Sequence, residues 1–347
     1  MRLPDGVDIT VVGAGAIGLS AALAMRGRGA CVLVLEADRP GGAQSAGPGR
    51  VFRLIHESDR LVELAQQAHT AWREVEARFG EALLGSEGTL LVGDVTEHAR
   101  RLTAAGAAFE VLDASGLART MPLLAAGPAE GLLDVAGGAI DAAGYMDLLR
   151  HEMRDAIQLA EVTSLATGDS GVTLETSRGV TTAQRVLVAA GAGTLRLARQ
   201  VGLDIPLTTS VHHRVAYPVE PARPLPCLLE RSGLFGARAY GVPLPGDAFA
   251  VGCATFDGLE GDQAIAETSA YVGRALPGVE PCATHIVRCD STVLGGHPES
   301  FALYQAGPIA AFAGGNLFKF APLLGHLLAR AVLDAKRDVV LDPALVT

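Results

Sequence analysis

The chain has 347 residues, of which 49% are hydrophobic and 19% are charged, a composition that excludes an intrinsically disordered protein. At roughly 150 residues per domain, this length predicts two domains. The formal net charge of −10 opposes binding to nucleic acid and to anionic lipid, so we predict a partner of neither kind.

The first predicted elements are a strand, a helix and a second strand. Residues 8–12 and 31–36 are short apolar runs that predict buried strands, and residues 20–29 predict a helix. The turn before the helix has the spacing GxGxxG, which suits a tight turn, a close approach of pyrophosphate and close helix packing. The residues predicted to contact a dinucleotide are Gly13, Gly15, Ala16, Ile17, Gly18, Glu36 and Ala37.

Glu36 ends the second predicted strand, where a carboxylate accepts hydrogen bonds from ribose hydroxyls. The same carboxylate repels a 2′-phosphate, which disfavours NADP. The glycine pattern alone leaves NAD and FAD open. The strand–helix alternation stops after residue 36, however, and a glycine-rich loop follows, which favours FAD over NAD.

Later elements return to the same predicted sheet. Residues 61–79 have one apolar stripe and predict a packed helix after the loop. A strand is predicted at 159–162, a hairpin with a buried strand and a glycine turn at 172–194, and a strand, turn and helix at 310–333. The nucleotide-binding domain is therefore predicted to consist of three separate segments.

The cysteines and the long uncharged stretches of the sequence indicate the cellular compartment of the protein. The five cysteines include no CxxC pair, which argues against disulfides and a zinc site, and we predict no metal site. The N-terminus lacks a basic segment with a cleavage site, and glycines interrupt the uncharged windows 9–25 and 300–318. We expect a cytoplasmic protein without a membrane partner, as a monomer or a small homo-oligomer.

Three motifs in this order resemble those of the D-amino-acid-oxidase-like flavoproteins. They are the N-terminal fingerprint, RVLVAAGAGT and FAGGNLFKFAPLLGHLLARAV, and GRVFRLIHESDRLVELAQQAHTAW resembles the monomeric sarcosine oxidase branch in particular. That branch includes N-methyl amino acid and pipecolate oxidases. The resemblance implies FAD, oxidation of a C–N bond in a small-molecule substrate, and an α/β fold. A Rossmann-like FAD-binding domain would be joined to an α+β substrate domain with an antiparallel sheet.

We expect the domain boundaries to follow this pattern. Residues 1–84, 138–205 and 286–347 are predicted to form the discontinuous FAD-binding domain. Residues 85–137 and 206–285 are predicted to form the substrate domain.

Four residues match substrate-site positions of the family. The resemblance implies that Arg53 and Lys319 hold a substrate carboxylate, that Arg50 lies near the flavin ring, and that Tyr240 lines the pocket. An arginine suits the first role because its guanidinium binds a carboxylate with two parallel hydrogen bonds. The alternatives are solvated arginines, a surface lysine and a tyrosine that only packs in a strand.

Cys289 matches the cysteine that, in this branch, is joined through sulfur to the flavin 8α-methyl group. The alternative is a cysteine that packs as a small hydrophobic residue. The resemblance implies further contacts with FAD through Ser45, Arg50, Val162, Ala190, Gly191, Leu317, Phe318 and Lys319.

Several positions depart from the family pattern. Ala250 stands where the oxidases have a lysine that promotes reaction with oxygen, and Ala254 and Ala46 stand where they have histidines. Gly193 replaces a frequent aromatic residue. These small residues leave room for a bulkier substrate and leave the electron acceptor open.

The expected function is FAD-dependent oxidation of a C–N bond in a carboxylated amine or amino-acid-derived compound of specialised metabolism, by hydride transfer to flavin. One alternative is a flavin-dependent dehydrogenase of a hydroxy acid. Another is a flavoprotein that uses FAD without net redox turnover, an idea prompted by Ala250.

Overall fold

A computed structural model describes residues 3–168, 171–220 and 224–334. Eight helices of this described part are numbered in chain order: α1 (Ala16–Gly27), α2 (Asp59–Phe79), α3 (Thr96–Ala104), α4 (Ala114–Thr120), α5 (Ala142–Glu152), α6 (Thr194–Gln200), α7 (Gly261–Ala275) and α8 (Ala321–Asp334). Its strands are β1 (Val7–Val12), β2 (Val32–Glu36), β3 (Gly49–Phe52), β4 (Thr89–Val92), β5 (Phe109–Asp113), β6 (Glu130–Asp134), β7 (Gly138–Asp141), β8 (Ile157–Leu159), β9 (Val162–Gly168), β10 (Gly171–Thr176), β11 (Gly179–Val188), β12 (Leu207–Pro218), β13 (Cys227–Glu230), β14 (Ala239–Leu244), β15 (Ala248–Cys253), β16 (His285–Leu294), β17 (Phe301–Ala306) and β18 (Ile309–Gly314).

The chain divides into two compact units. The first unit consists of Met1–Ala46, Gly144–Thr209 and Asp290–Thr347, and the second of Gly47–Ala143 and Ser210–Cys289.

The first unit is built on a largely parallel sheet in the order β17-β18-β11-β1-β2-β8. β1 pairs in parallel with β2 and with β11, and β11 pairs in parallel with β18. The β9–β10 hairpin adds to this sheet through the pairing of β10 with β11. The strands near its centre are buried apolar runs, as the sequence predicts for a parallel sheet covered on both faces. All three predicted segments contribute strands to this one sheet.

The second unit contains a mainly antiparallel sheet in the order β16-β12-β15-β14-β13-β4-β6-β5. One face of this sheet packs in a core with α7, through Val215, Tyr217, Phe249 and Tyr271. The other face carries small and apolar residues, and Val51 of β3 packs against it. β3 and β7 form a separate two-stranded sheet. The predicted fold class, a Rossmann-like α/β domain joined to an α+β domain with an antiparallel sheet, is confirmed.

Helix α2 shows how local sequence sets one of these elements. Ser58 is its N-cap and accepts a hydrogen bond from the Leu61 amide, and Gly80 ends the helix with φ of 72°. The predicted apolar stripe is buried from Leu61 to Trp72. In the described part of the chain, no helix is both long and apolar enough to cross a membrane.

The second unit includes residues 47–84, a stretch that the sequence analysis assigns to the FAD-binding domain. Their assignment to the FAD-binding domain stays a prediction. The physical reason for their place in the second unit is strand pairing, because β3 pairs with β7 along Gly49–Phe52 and Val51 packs on the large sheet. The other unit boundaries, at residues 143/144, 209/210 and 289/290, lie close to the predicted ones.

Candidate active site

The turn between β1 and α1 is closely packed around two glycines. Gly13 has φ of +106°, and a Cβ there would lie 2.5 Å from the Ala189 carbonyl oxygen. A Cβ at Gly18 would lie 2.0 Å from the Gly13 carbonyl oxygen. Only glycine at these positions lets the start of α1 approach the turn and the end of β11 this closely. Gly13 and Gly18 therefore lie where a tight turn and close helix packing leave no room for a side chain.

The N–H groups at this turn meet side-chain oxygens of residues predicted to hold the cofactor. The Ala14 amide donates to Glu36 Oε2 at 2.8 Å, and the Ala16 amide donates to Ser45 Oγ at 2.9 Å. A Cβ at Gly15 would meet only Ser45 Oγ, at 3.3 Å, so the helix start remains accessible on that side. Helix N-terminal N–H groups beside a carboxylate fit a pyrophosphate and a ribose. These residues fit the diphosphate and ribose of FAD.

Gln44 joins the loop to two other segments of the first unit. A Cβ at Gly191, which has φ of +55°, would lie 3.1 Å from Gln44 Nε2. The hydroxyl of Thr292 donates to the Gly314 carbonyl at 2.6 Å and lies 3.2 Å from Gln44 Oε1. Sequence reasoning misses Gln44 and Thr292, since neither belongs to a recognisable motif. The Gln44 side chain therefore lies beside Gly191, a predicted FAD contact.

The third segment predicted for the nucleotide-binding domain, residues 310–333, overlaps α8, which packs onto α1. A Cβ at Gly325 of α8 would lie 2.7 Å from the Ser20 carbonyl oxygen, so the two helices are in close backbone contact. The Ser20 hydroxyl donates to the Ala16 carbonyl at 2.6 Å and lies 2.8 Å from the Tyr145 hydroxyl. The Tyr145 ring lies edge-on to Phe318, with ring centroids 6.1 Å apart. Phe318 is thus connected through buried side chains to the helix that begins the nucleotide site.

Lys319 has an acidic partner within the first unit. Its side chain is only 3% exposed, and Nζ lies 2.9 Å from Glu299 Oε1 and 3.2 Å from the Asn316 carbonyl oxygen. Asn316, with φ of 55°, also donates to Glu299 Oε1. A buried ammonium requires such an anion. The predicted role of Lys319 toward a substrate carboxylate remains a prediction, and Glu299 is a partner that sequence reasoning does not identify.

The remaining predicted FAD contacts are spread over the first unit and its boundary. Val162 is buried at the start of β9, Ile17 and Leu317 are half-buried, and Ala37 is exposed after β2. Cys289 lies in β16, and its side chain is outside the part of the structure that can be described.

In the second unit, the two predicted arginines lie on and just after β3. Arg50 is half-buried and donates to the Gly49 carbonyl at 2.8 Å, whereas Arg53 is 8% exposed. The fully buried Asp134 supports the segment after Arg53 by accepting a hydrogen bond from the Leu54 amide. Burial raises the pKa of Asp134 to about 6, against the lowering effect of its backbone hydrogen bonds. Sequence reasoning does not identify this support for Arg53.

Tyr240 lies on β14 and is joined to two side chains that the sequence does not link to it. Its hydroxyl is 2.7 Å from His212 Nε2, and the two rings stack with centroids 5.7 Å apart. His212 Nδ1 is in turn 2.5 Å from Asp257 Oδ1. The register pairs Tyr240 with Gly252 of β15, whose missing side chain leaves the space that the phenol ring occupies.

The same sheet face is lined by small residues around Ala250. Ala216 pairs with Ala250 across β12 and β15, and Val242 pairs with Ala250 across β14 and β15. A cavity of about 10 Å³, room for about one water molecule, is lined by Ala216, Ala250 and Arg214 among others. Within residues 3–168, 171–220 and 224–334, no group of three or more His, Cys, Asp and Glu side chains is arranged to hold a metal ion.

Comparison with known proteins relates this arrangement to characterised enzymes. N-methyl-L-tryptophan oxidase from Salmonella arizonae is 23% identical over 380 residues, which cover 97% of each chain. The solved structure of NikD, an unusual amino acid oxidase essential for nikkomycin biosynthesis, matches with a TM-score of 0.88 at 22% identity, over 99% of this chain and 98% of that one. Glycine oxidase from Geobacillus kaustophilus matches with a TM-score of 0.86 at 20% identity, over 99% of each chain.

These structural likenesses show the fold, and the family model shows the membership. The model of the FAD dependent oxidoreductase family matches residues 8–331, nearly the whole chain. The matched range includes the glycine turn, Glu36 and the segments of the first unit that pack beside them. The protein belongs to the FAD-dependent oxidoreductase family.

Proposed function

We propose that this enzyme oxidises a C–N bond in a carboxylated amine or an amino-acid-derived compound. The observation that carries the proposal is the packing of β3, with Arg50 on it and Arg53 after it, on the sheet face that bears Tyr240. A Cβ at Gly49 would lie 2.6 Å from Leu244 Cδ2, so β3 lies directly against β14. The names of the relatives, which are amino acid and N-methyl amino acid oxidases, support the same substrate class.

The proposed roles follow from the chemistry of each side chain. The guanidinium of Arg53 binds the substrate carboxylate, because a planar fork of N–H donors fits two carboxylate oxygens. Lys319 is a second contact, and a carboxylate there competes with Glu299 for the ammonium. Tyr240 lines the pocket beside the amine. Ala216 and Ala250 present small apolar side chains on the sheet face that also carries Tyr240.

The nucleotide site supplies the redox chemistry through its cofactor. Glu36, Ser45 and the N–H groups at the start of α1 would hold the ribose and diphosphate of FAD. When bound, FAD takes up the two electrons and the hydrogen lost from the carbon next to the nitrogen. The protein contributes binding, orientation and the exclusion of water around the reacting bond.

Reduction without oxygen tests the proposed reaction. Under anaerobic conditions, N-methyl and cyclic amino acids are expected to bleach the flavin absorbance near 450 nm, and the matching hydroxy acids are not. The product is an imine, which on hydrolysis gives a carbonyl compound and methylamine from an N-methyl amino acid, and a ring-opened amino carbonyl compound from a cyclic one. Bleaching by hydroxy acids only would favour the dehydrogenase alternative. No bleaching by either class would favour a flavoprotein without net redox turnover.

Cys289 gives a second prediction, on the linkage to FAD. We propose that its sulfur is bonded to the flavin, so acid precipitation of the protein is expected to give a yellow pellet and a colourless supernatant. Cys289→Ser is expected to release the colour into the supernatant. Cys282→Ser, which changes an exposed cysteine nearby in the chain, is the matched control and leaves the pellet yellow. A yellow supernatant from the unmodified protein would make Cys289 a packing residue.

The proposal extends to the acceptor and the setting. Ala250 stands in place of the lysine that promotes reaction with oxygen in the related oxidases, so reduced enzyme passes electrons slowly to oxygen or to another acceptor. We also propose that the enzyme acts in the cytoplasm, as a monomer or a small homo-oligomer, without a nucleic acid or membrane partner. The net charge of −10 supports the last point.

A further inference from the structure

Two fully buried polar side chains lie next to each other on β4 and β6 of the second unit. Thr89 of β4 and Asp134 of β6 are paired in register across the two strands, and both residues are 0% exposed. The other cross-strand neighbour of Asp134 is Phe109 of β5. A carboxylate is costly to bury unless it is well hydrogen-bonded, so its hydrogen-bond partners indicate its role.

Both side chains bond to the backbone on the two sides of Arg53. The Thr89 hydroxyl donates to the Phe52 carbonyl at 2.7 Å. Asp134 Oδ2 accepts a hydrogen bond from the Leu54 amide. The residues before and after Arg53 are therefore both held by side chains from one pair of adjacent strands. We call this pair of side chains, Thr89 and Asp134, the clamp.

The carboxylate also joins the segment after Arg53 to the turn that follows β6. Its Oδ1 accepts a hydrogen bond from the Ala136 amide at 3.1 Å, whereas its Oδ2 is bonded to the Leu54 amide. The amides of Ile55 and Gly137 are further donors to the same carboxylate. Both oxygens must therefore act as acceptors if the two stretches of backbone are to be held together.

The turn after β6 is packed closely against β4. A Cβ at Gly137 would lie 2.5 Å from Thr89 Oγ1 and 2.8 Å from the Thr89 amide nitrogen. The Gly137 amide also donates to the Asp134 backbone carbonyl at 3.1 Å. The carboxylate is therefore fixed to the sheet on the side of this turn, and its bond to Leu54 fixes that amide in turn.

We propose that Thr89 and Asp134 are positioning residues that hold the backbone of Arg53 in the place from which its guanidinium binds a carboxylate. The inference rests on the proposed function, in which Arg53 binds the substrate carboxylate. Two parallel hydrogen bonds require the planar guanidinium to be aligned with both oxygens, so a shift of the backbone weakens the pair. Arg53 is only 8% exposed, and its side chain has little freedom to compensate for such a shift.

The ionisation of Asp134 makes the clamp dependent on pH. Burial raises the pKa of Asp134 to about 6, against the lowering effect of its backbone hydrogen bonds. Above this pH the carboxylate accepts with both oxygens, whereas below it the protonated oxygen is a donor and a poorer acceptor. The bond to one of the two stretches of backbone is then weakened. The clamp is therefore expected to loosen as the pH falls through about 6.

Other ionisable side chains lie on the segments that meet Asp134. Arg53 and His56 flank the bonded amides in the chain. The exposed Glu87 precedes β4, and the exposed Glu110 lies on β5. Because histidines in general ionise in the same pH range, His56→Gln is a necessary control in any measurement of pH dependence.

Hydrogen exchange at backbone amides tests the clamp without any substrate. In the holoenzyme at about pH 8, the peptide that contains Leu54 and Ile55 is expected to exchange about tenfold faster in Asp134→Asn, as measured by mass spectrometry. Asparagine replaces one acceptor oxygen by an NH₂ group, which cannot accept from an amide. Glu110→Gln changes an exposed carboxylate on β5 and is the matched control, with unchanged exchange. Unchanged exchange in folded Asp134→Asn would refute the clamp.

Thr89→Val and Thr89→Ser form a second matched pair. Valine has nearly the shape of threonine but no hydroxyl, so the Phe52 carbonyl loses its donor. For a carboxylated amine, KM is expected to rise about tenfold in Thr89→Val and to stay within about threefold in Thr89→Ser, with kcat little changed in both. Equal KM values in the two variants would refute the role of the hydroxyl.

The preference for a carboxylated amine over the same amine without its carboxylate gives the pH test. The ratio of the two kcat/KM values cancels the ionisation of the amine, which both substrates share. In the unmodified enzyme this ratio is expected to fall about tenfold as the pH falls through about 6. Asp134→Asn is expected to show a low ratio that does not change with pH, whereas His56→Gln keeps the step. A step of unchanged size in Asp134→Asn would refute the positioning role.

The two kinds of measurement separate this proposal from the proposed function. Faster exchange in Asp134→Asn with an unchanged preference would refute the positioning role alone. No preference for a carboxylate in the unmodified enzyme would overturn the role of Arg53, and the positioning role with it, while hydrogen exchange still shows whether the clamp exists. Should Asp134→Asn fail to fold, the pH step of the unmodified enzyme and the two Thr89 variants decide the question.

Discussion

Alanine in place of Gly18 is expected to give a folded protein that does not retain FAD through purification. The new Cβ would lie 2.0 Å from the Gly13 carbonyl oxygen, which is backbone and cannot rotate away. Helix α1 must therefore move off the turn, and the N–H groups of Ala14 and Ala16 move with it. The measurement is the ratio of flavin absorbance at 450 nm to protein absorbance at 280 nm.

Gly27→Ala is the matched control for this change. Gly27 ends the same helix, and a Cβ there would meet nothing within 4 Å. Because alanine is the better helix former, this variant is expected to keep its FAD and to be slightly more stable. A thermal melt with and without added FAD shows whether Gly18→Ala is folded. Full FAD content in folded Gly18→Ala would contradict the prediction.

The second large effect is expected at Arg53. Arg53→Met is expected to lower kcat/KM for a carboxylated amine by about 10²-fold to 10³-fold, because a buried charge-assisted pair is lost. Arg53→Lys keeps the charge but not the planar fork of N–H donors. Its kcat/KM is expected to lie between those of Arg53→Met and the unmodified enzyme. The side chain is only 8% exposed, so both variants require a thermal melt as a check on folding.

A substrate without its carboxylate tests the assignment directly. The unmodified enzyme is expected to prefer the carboxylated amine strongly over the same amine without the carboxylate, and Arg53→Met is expected to show little preference. Arg60→Met changes an arginine that is half exposed on α2 and paired with Glu63, and it is expected to keep kcat/KM within about twofold. An unchanged preference in folded Arg53→Met would show that another group binds the carboxylate.

The nucleotide unit was the part of the fold most open to prediction from sequence. Its strands are continuous apolar runs, and its turn needs glycine at Gly13 and Gly18 for reasons that depend only on neighbouring residues. In the second unit, the helix predicted over residues 61–79 is found at Asp59–Phe79, because the Ser58 cap and the apolar stripe are both local signals. Local signals of this kind allow a helix or a turn to be predicted from one amino-acid sequence.

Contacts between residues distant in the chain were not predictable in this way. The partners of Tyr240 lie 28 and 17 positions away in the sequence and meet it only through the order of β12, β15 and β14. Glu299 reaches Lys319 in the same manner, across β17 and β18. The placement of residues 47–84 depended on the pairing of β3 with β7, which no local pattern reveals.

The order of strands in the first unit has a consequence for biosynthesis. β1 lies beside β11, and β11 lies beside β18, which is made about 120 residues after β11 as the chain leaves the ribosome. α8, which packs on α1, is made later still. The second unit, by contrast, has all its segments once residue 289 has been added. The cofactor site is therefore completed at the end of translation, and ribosome-bound chains that stop before β18 are not expected to capture FAD.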